Sequence, residues 1–121
     1  MVPLLGENRT FVKYGQLVFK NTHRDGLNRI IKKARLVKKQ ISAGDLGFMI
    51  GPRINAAARL EDPIIAFEAL AKSGEEAESA ADYLEKLNNR RKYLTAKIMK
   101  EVWAKLEKRP ESEVIVIGNK E

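Results

Sequence analysis

From Glu75 to about Lys108 the chain carries neither proline nor glycine, and this run restricts the available folds more than any other feature. Ala77, Ala80, Leu84, Leu87, Leu94, Ile98 and Val102 trace one stripe along it at helical spacing, broken by Arg91. Ser73-Gly74-Glu75-Glu76 has capping-box spacing at its start, and Pro110 stops it. A helix of about 33 residues would span roughly 50 Å. That is too long to stay inside one core of a 121-residue chain, so the helix is expected to bridge two lobes. Beyond it, Glu113-Val114-Ile115-Val116-Ile117-Gly118 reads as a buried strand. A single strand leaves its amides without a ladder partner. The sequence therefore predicts a piece of a larger protein that is mainly α. It has a helical region over 1–72, a connecting helix of about 30 residues over 73–109, and over 110–121 a C-terminal β-strand that begins a truncated α/β domain.

The region before the connector divides into shorter helices. Phe11, Tyr14, Leu17 and Val18 share one side of a helix from about Glu7 to Lys20, and Gly15 on that side could admit a close neighbour. After a polar break at 21–26, Leu27, Ile30, Ile31 and Ala34 mark a second helix, followed by a basic connector from Val37 to Gln40. Ser42 and Asp45 have the serine-x-x-acid spacing of a cap. Gly51-Pro52 ends that short helix and opens the next, over 52–60, because proline at a first helical position forfeits no hydrogen bond. Asp62-Pro63 repeats the device, with Ile64, Ile65, Phe67 and Leu70 expected to face inward.

Charge separates the two halves. Residues 1–60 hold twelve basic side chains against three acids, a net +9, whereas residues 61–121 hold eleven against thirteen, a net −2. A basic half suits a polyanion, although a solvated helical face gives the same pattern. The absence of cysteine excludes disulfides, thiolate zinc sites and cysteine nucleophiles. No apolar run approaches the roughly 18 residues of a membrane span, and the start lacks a signal-peptide pattern. The expectation is a cytoplasmic chain without a membrane partner. His23, the one histidine, lies in a polar turn, and Asp62 of the Glu61-Asp62 pair is explained by capping. No phosphate loop, HExxH or GxSxG occurs, so the chain is expected to hold no catalytic residue and no metal ligand.

The informative constellation is Gly47-Phe48-Met49-Ile50-Gly51-Pro52-Arg53-Ile54-Asn55-Ala56-Ala57-Ala58-Arg59-Leu60. Helical geometry sets Arg53, Ala56 and Ala57 along one side, and Asn55 and Arg59 one turn apart on another. Small residues let this helix come close to a partner, and its free amides with Arg53 would suit a phosphate. Equally, Asn55 and both arginines could tie neighbouring helices together while the alanines fill space. The residues alone leave both readings open.

This run resembles the GFxxGPRxNAAGRL pattern of the RecJ-type single-strand-specific DNA exonucleases, members of the DHH phosphoesterase superfamily. The likeness continues on both sides. Val2-Pro3-Leu4-Leu5-Gly6-Glu7-Asn8-Arg9 looks like the family's PLxGENR segment, Arg24-Asp25-Gly26-Leu27 like its RPGL, and Leu87-Asn88-Asn89-Arg90-Arg91 like its LNxxR. Val114 to Gly118 falls where the second lobe, DHHA1, begins. Ala58 stands where the family has Gly, and Gln16 and Asp25 replace Leu and Pro. The resemblance implies an interlobe fragment of a monomeric enzyme that hydrolyses single-stranded DNA from the 5′ end with Mn2+ or Mg2+. No cofactor is expected on this chain itself, and the missing DHH and DHHA1 lobes are its expected partners. It further implies that Arg53, Asn55 and Arg59 contact DNA, that Asn8 and Arg9 brace the catalytic lobe, and that Asn88 and Arg91 join the connecting helix to the motif helix. Two other readings remain at this point: a stand-alone helical module gripping nucleic acid by charge, and a non-nuclease DHH relative acting on small phosphodiesters or pyrophosphate.

Overall fold

A computed structural model describes residues 3–107 together with Ile115, Val116 and Gly118. The order is α1 (Gly6–Lys20), α2 (Asp25–Lys33), a 3-10 turn (Lys38–Gln40), α3 (Ala43–Asp45), a π-turn (Leu46–Ile50), α4 (Gly51–Leu60), α5 (Ile64–Ala71) and α6 (Gly74–Leu106). The chain forms two units, 1–88 and 89–121, and the 33 residues of α6 run through both. The mainly helical class and the long helix agree with the sequence. The expected C-terminal strand is not seen: Ile115, Val116 and Gly118 carry no strand, and the rest of Glu113–Gly118 lies outside the described residues.

Local signals account for most boundaries. Ser42 and Asp45 form the predicted capping box, with the Asp45 amide donating to Ser42 Oγ at 3.2 Å and the Ser42 amide donating to Asp45 Oδ2 at 2.9 Å. The Ile64 amide donates to Asp62 Oδ1 at 2.8 Å, as an aspartate before Pro63 should allow. The start of α6 is different. Its Gly74 amide donates to Asp25 Oδ2 of α2 at 2.7 Å, a tie from a distant helix that local spacing does not show. α2 ends in a Schellman motif: Leu36 N–H donates to Ile31 O and Arg35 N–H to Lys32 O, with Arg35 at φ 57° where glycine is usual.

The core of the first unit joins Leu27, Ile30 and Ile31 of α2 to Ile41, Ile50, Ala56, Ala57, Ala66 and Ala69, and to Ala81, Leu84 and Leu87 of α6. The predicted face of α2 is therefore the buried one. α5 departs from expectation, because Ala66 and Ala69 point inward while Ile64 and Phe67 are exposed. The reason lies at Gly26, where an added Cβ would stand 1.9 Å from the Ala69 carbonyl oxygen. At that separation α5 turns the small Ala66 and Ala69 to the core, while Ile65 and Leu70, also expected inward, pack partly buried against it. Gly15, in contrast, meets nothing within 4 Å. It borders an open hollow of about 420 Å3 with Phe11, Phe19 and Ile54. Phe11, Tyr14, Leu17 and Val18 stay exposed, so the apolar side of α1 is uncovered among the described residues.

Charge fastens α2 to α6. Arg29 donates through Nε and Nη2 to the two carboxylate oxygens of Asp82 at 2.8 and 2.7 Å, and Lys33 stands 3.1 Å from the same group. Arg29's hydrogen bonds outweigh partial burial and, with Lys33, hold the Asp82 carboxyl down at about 2, from an ordinary 3.8. A depressed carboxylate stabilises the fold above its unfolded pKa and loses that contribution as pH falls through the folded one. The expected result is about 1–2 kcal/mol, discounted for solvent screening, lost between about pH 4 and pH 2. Urea denaturation across that range should show a slope that is shallower in Asp82→Asn.

Candidate nucleic-acid interface

Pro52 has no amide hydrogen to offer the carbonyl of Phe48, the bond that a continuous helix would require. The chain answers with a π-turn over Leu46–Ile50 in which the Gly51 amide reaches back to Leu46 O. Such a turn absorbs one residue's misfit without ending the helical run. The sequence reading of two short helices broken at Gly51-Pro52 is thus corrected: α3, the π-turn and α4 follow one another without a gap.

On α4 the motif side chains part company. Ala56 and Ala57 are fully buried, and Arg53 is 6% exposed. Its Nε donates to Glu85 Oε2 at 2.6 Å, Nη2 to Glu85 Oε1 at 3.3 Å, and Nη1 to the Met49 carbonyl in the π-turn at 2.5 Å. One guanidinium thereby ties α4, the π-turn and α6 together. Of the two readings, the geometry of Arg53 fits the tie between helices.

Asn55 and Arg59, one turn apart, are both exposed. Ala58 is exposed too, so the methyl that replaces the family's glycine points away from the core. Asn8 makes a local bond to the Pro3 carbonyl at 3.3 Å, and Arg9 is exposed. Asn88 is 1% exposed, at the end of the first unit. Arg91 is half-buried and belongs to the second. The structure therefore brings Asn55 and Arg59 together on a surface and sets Arg53 and Asn88 in the interior.

Several working residues escape a reading of the sequence. Glu85, Asp82 and Glu78 of α6 take up Arg53, Arg29 and Lys33, three of the twelve bases in the first 60 residues. Arg24 caps the Leu70 carbonyl at 2.6 Å, and Lys38 donates to the Thr22 carbonyl. The acids fall on one side of α6 at helical spacing, Glu78, Asp82 and Glu85. That pattern was the available signal, but it does not say which cations it meets. Among the described residues no three histidine, aspartate or glutamate side chains converge as a metal site would need, and no helix is long and apolar enough to cross a membrane.

No family model matches the chain. Over 98 residues it is 37% identical to the single-stranded-DNA-specific exonuclease RecJ of Haemophilus influenzae, a match that takes in 79% of this chain and 17% of the relative. Against the protein of the same name from Bacillus subtilis the identity is 31% over 103 residues, 84% of this chain and 13% of the relative. The crystal structure of RecJ in complex with Mg2+ from Thermus thermophilus superposes with a TM-score of 0.74 at 31% identity, over 83% of this chain and 16% of that one. The chain spans less than a fifth of the length of the relatives it matches.

Proposed function

We propose that this chain, a segment of RecJ type, is the part of a metal-dependent 5′-to-3′ single-stranded-DNA exonuclease that spaces the lobes and supplies part of the basic DNA path. The observation that carries this reading is the division of labour on α4. Arg53 is locked to Glu85 inside, and that lock holds Asn55 and Arg59 outward on a rigid, small-residue helix. A phosphate contact works best from a support that does not move when the charge arrives. Around it, the bases of the first 60 residues that α6 does not neutralise give the field that draws a polyanion. Asn8 and Arg9 brace the catalytic lobe in this reading, and Asn88 and Arg91 serve the connecting helix. The divalent metal and its aspartate and histidine ligands belong to the rest of the enzyme.

Two measurements test it. The 121-residue chain should show no phosphodiesterase turnover with Mn2+ or Mg2+; turnover that survives repurification would place the chemistry here after all. In fluorescence anisotropy with a labelled single-stranded oligonucleotide, Arg59→Ala should weaken binding roughly fivefold, about 1 kcal/mol for one exposed charge contact. The dependence of log K on log salt should become shallower by about 0.7, the share of one phosphate. Unchanged affinity and slope would remove Arg59 from the path.

A further inference from the structure

The charge of α6 reverses along its length. Residues 74–88 carry one base against five acids, whereas residues 89–107 carry six bases against two acids. Within the first unit the acids Asp82 and Glu85 are met by Arg29, Lys33 and Arg53. The basic stretch belongs wholly to the second unit. A helix macrodipole favours cations only in the last turn, and Lys92 and Lys100 lie well before it.

On that stretch Tyr93, Ala96, Lys100 and Trp103 follow one another at spacings of three, four and three, and Lys92, Ala96, Met99 and Trp103 at four, three and four. Both series run along one side of the helix. Tyr93 is 69% exposed, Trp103 60% and Met99 45%, and Lys92 and Lys100 are exposed as well. Tyr93 and Trp103 are separated by about 15 Å of helix rise, room for two or three nucleotides of an extended strand. Alternating π-faces and ammonium groups are what a single strand needs: rings for its bases and cations for its phosphates. A protein surface laid over the same side would have to bury Lys92 and Lys100 and find a carboxylate for each.

We propose that the Lys92–Tyr93–Lys100–Trp103 side of α6 is a base-stacking platform for single-stranded DNA, a contact additional to Asn55 and Arg59. The proposal rests on the reading given above, and the test separates the two. Trp103 is the sole tryptophan, so the chain's tryptophan emission reports this side alone. Titrating the full 121-residue chain with an oligothymidylate at low salt should quench that emission in step with the anisotropy of a labelled oligonucleotide. Added salt should reverse both signals. Tyr93→Ala should weaken binding about tenfold, in the range of one lost base stack. Lys92→Gln with Lys100→Gln should make the salt dependence shallower by about 1.4. Both variants change exposed positions, and far-ultraviolet circular dichroism checks that their helix content is retained. If the oligonucleotide binds while Trp103 stays silent and both variants behave as the parent, the platform is overturned and the Arg59 path survives. If no oligonucleotide binds at all, the path and the platform fall together. A concentration-dependent blue shift of Trp103 without DNA would show a second copy covering this side, which also overturns the proposal.

Discussion

Glu85→Ala is expected to destabilise the chain by about 3–5 kcal/mol, enough to abolish or nearly abolish cooperative unfolding in urea. The mutation deletes no large apolar group. Its effect comes from leaving the Arg53 guanidinium, 6% exposed, without its carboxylate partner. Arg53→Ala should do comparable damage from the other side and also strip Met49 O of the 2.5 Å bond that helps hold the π-turn. A double variant, Arg53→Met with Glu85→Leu, should recover a large part of the loss, because apolar side chains of similar volume avoid the desolvation of both charges. If Arg53 instead met DNA, Glu85→Ala would leave the urea midpoint where it was and change only binding. The two outcomes differ by several kcal/mol, well outside the error of such a measurement.

That contrast marks where the sequence stops being readable. Signals that act within a few residues were legible: the Ser42–Asp45 box, Asp62 before Pro63, the Leu27-Ile30-Ile31-Ala34 face, and the uninterrupted run that becomes α6. Each is a local competition between one helix turn and the groups that end or begin it. What stayed hidden depends on partners far along the chain. Arg53 and Asn55 are two residues apart in one motif, yet one is buried on a carboxylate 32 residues later and the other is exposed. Hydropathy placed Ile64 and Phe67 inside, but where α2 comes close at Gly26 it is Ala66 and Ala69 of α5 that are buried, with Ile65 and Leu70 partly so. At the start of α6 the Gly74 amide likewise goes to Asp25, 49 residues away. The motif's composition is compatible with both a phosphate contact and a brace, and only tertiary placement separates a buried Arg53 on Glu85 from an exposed Asn55 and Arg59.

Gly26→Ala should be the other severe substitution, although intrinsic preference points the opposite way. Alanine is favoured over glycine by up to about 1 kcal/mol in a helix, so propensity alone predicts a gain even at Gly26, in the first turn of α2. At this position the new Cβ would lie 1.9 Å from the Ala69 carbonyl oxygen, 2.9 Å from its carbonyl carbon and 3.0 Å from the Ala77 carbonyl oxygen. All three are backbone atoms, which cannot rotate aside as a side chain can. To relieve the clash α2 must withdraw from α5 and α6. That movement strains the neighbouring tethers, Arg24 to the Leu70 carbonyl and Asp25 to the Gly74 amide, and opens the interface that Leu27 and Ile30 fill. Overpacking costs about 1–3 kcal/mol, and a clash with fixed backbone belongs at the upper end, which outweighs the propensity gain and leaves a net loss of about 2 kcal/mol. Gly15→Ala supplies the control. It lies mid-helix in α1 with nothing within 4 Å of the added methyl, so propensity acts unopposed and the change should stabilise by roughly 0.5–1 kcal/mol. Thermal unfolding followed by circular dichroism should therefore move the two glycine-to-alanine variants in opposite directions. A Gly26→Ala protein that melts with or above the parent would mean that α2 and α5 do not approach as closely as 1.9 Å implies. The reason for alanines on the inner side of α5 would then disappear as well.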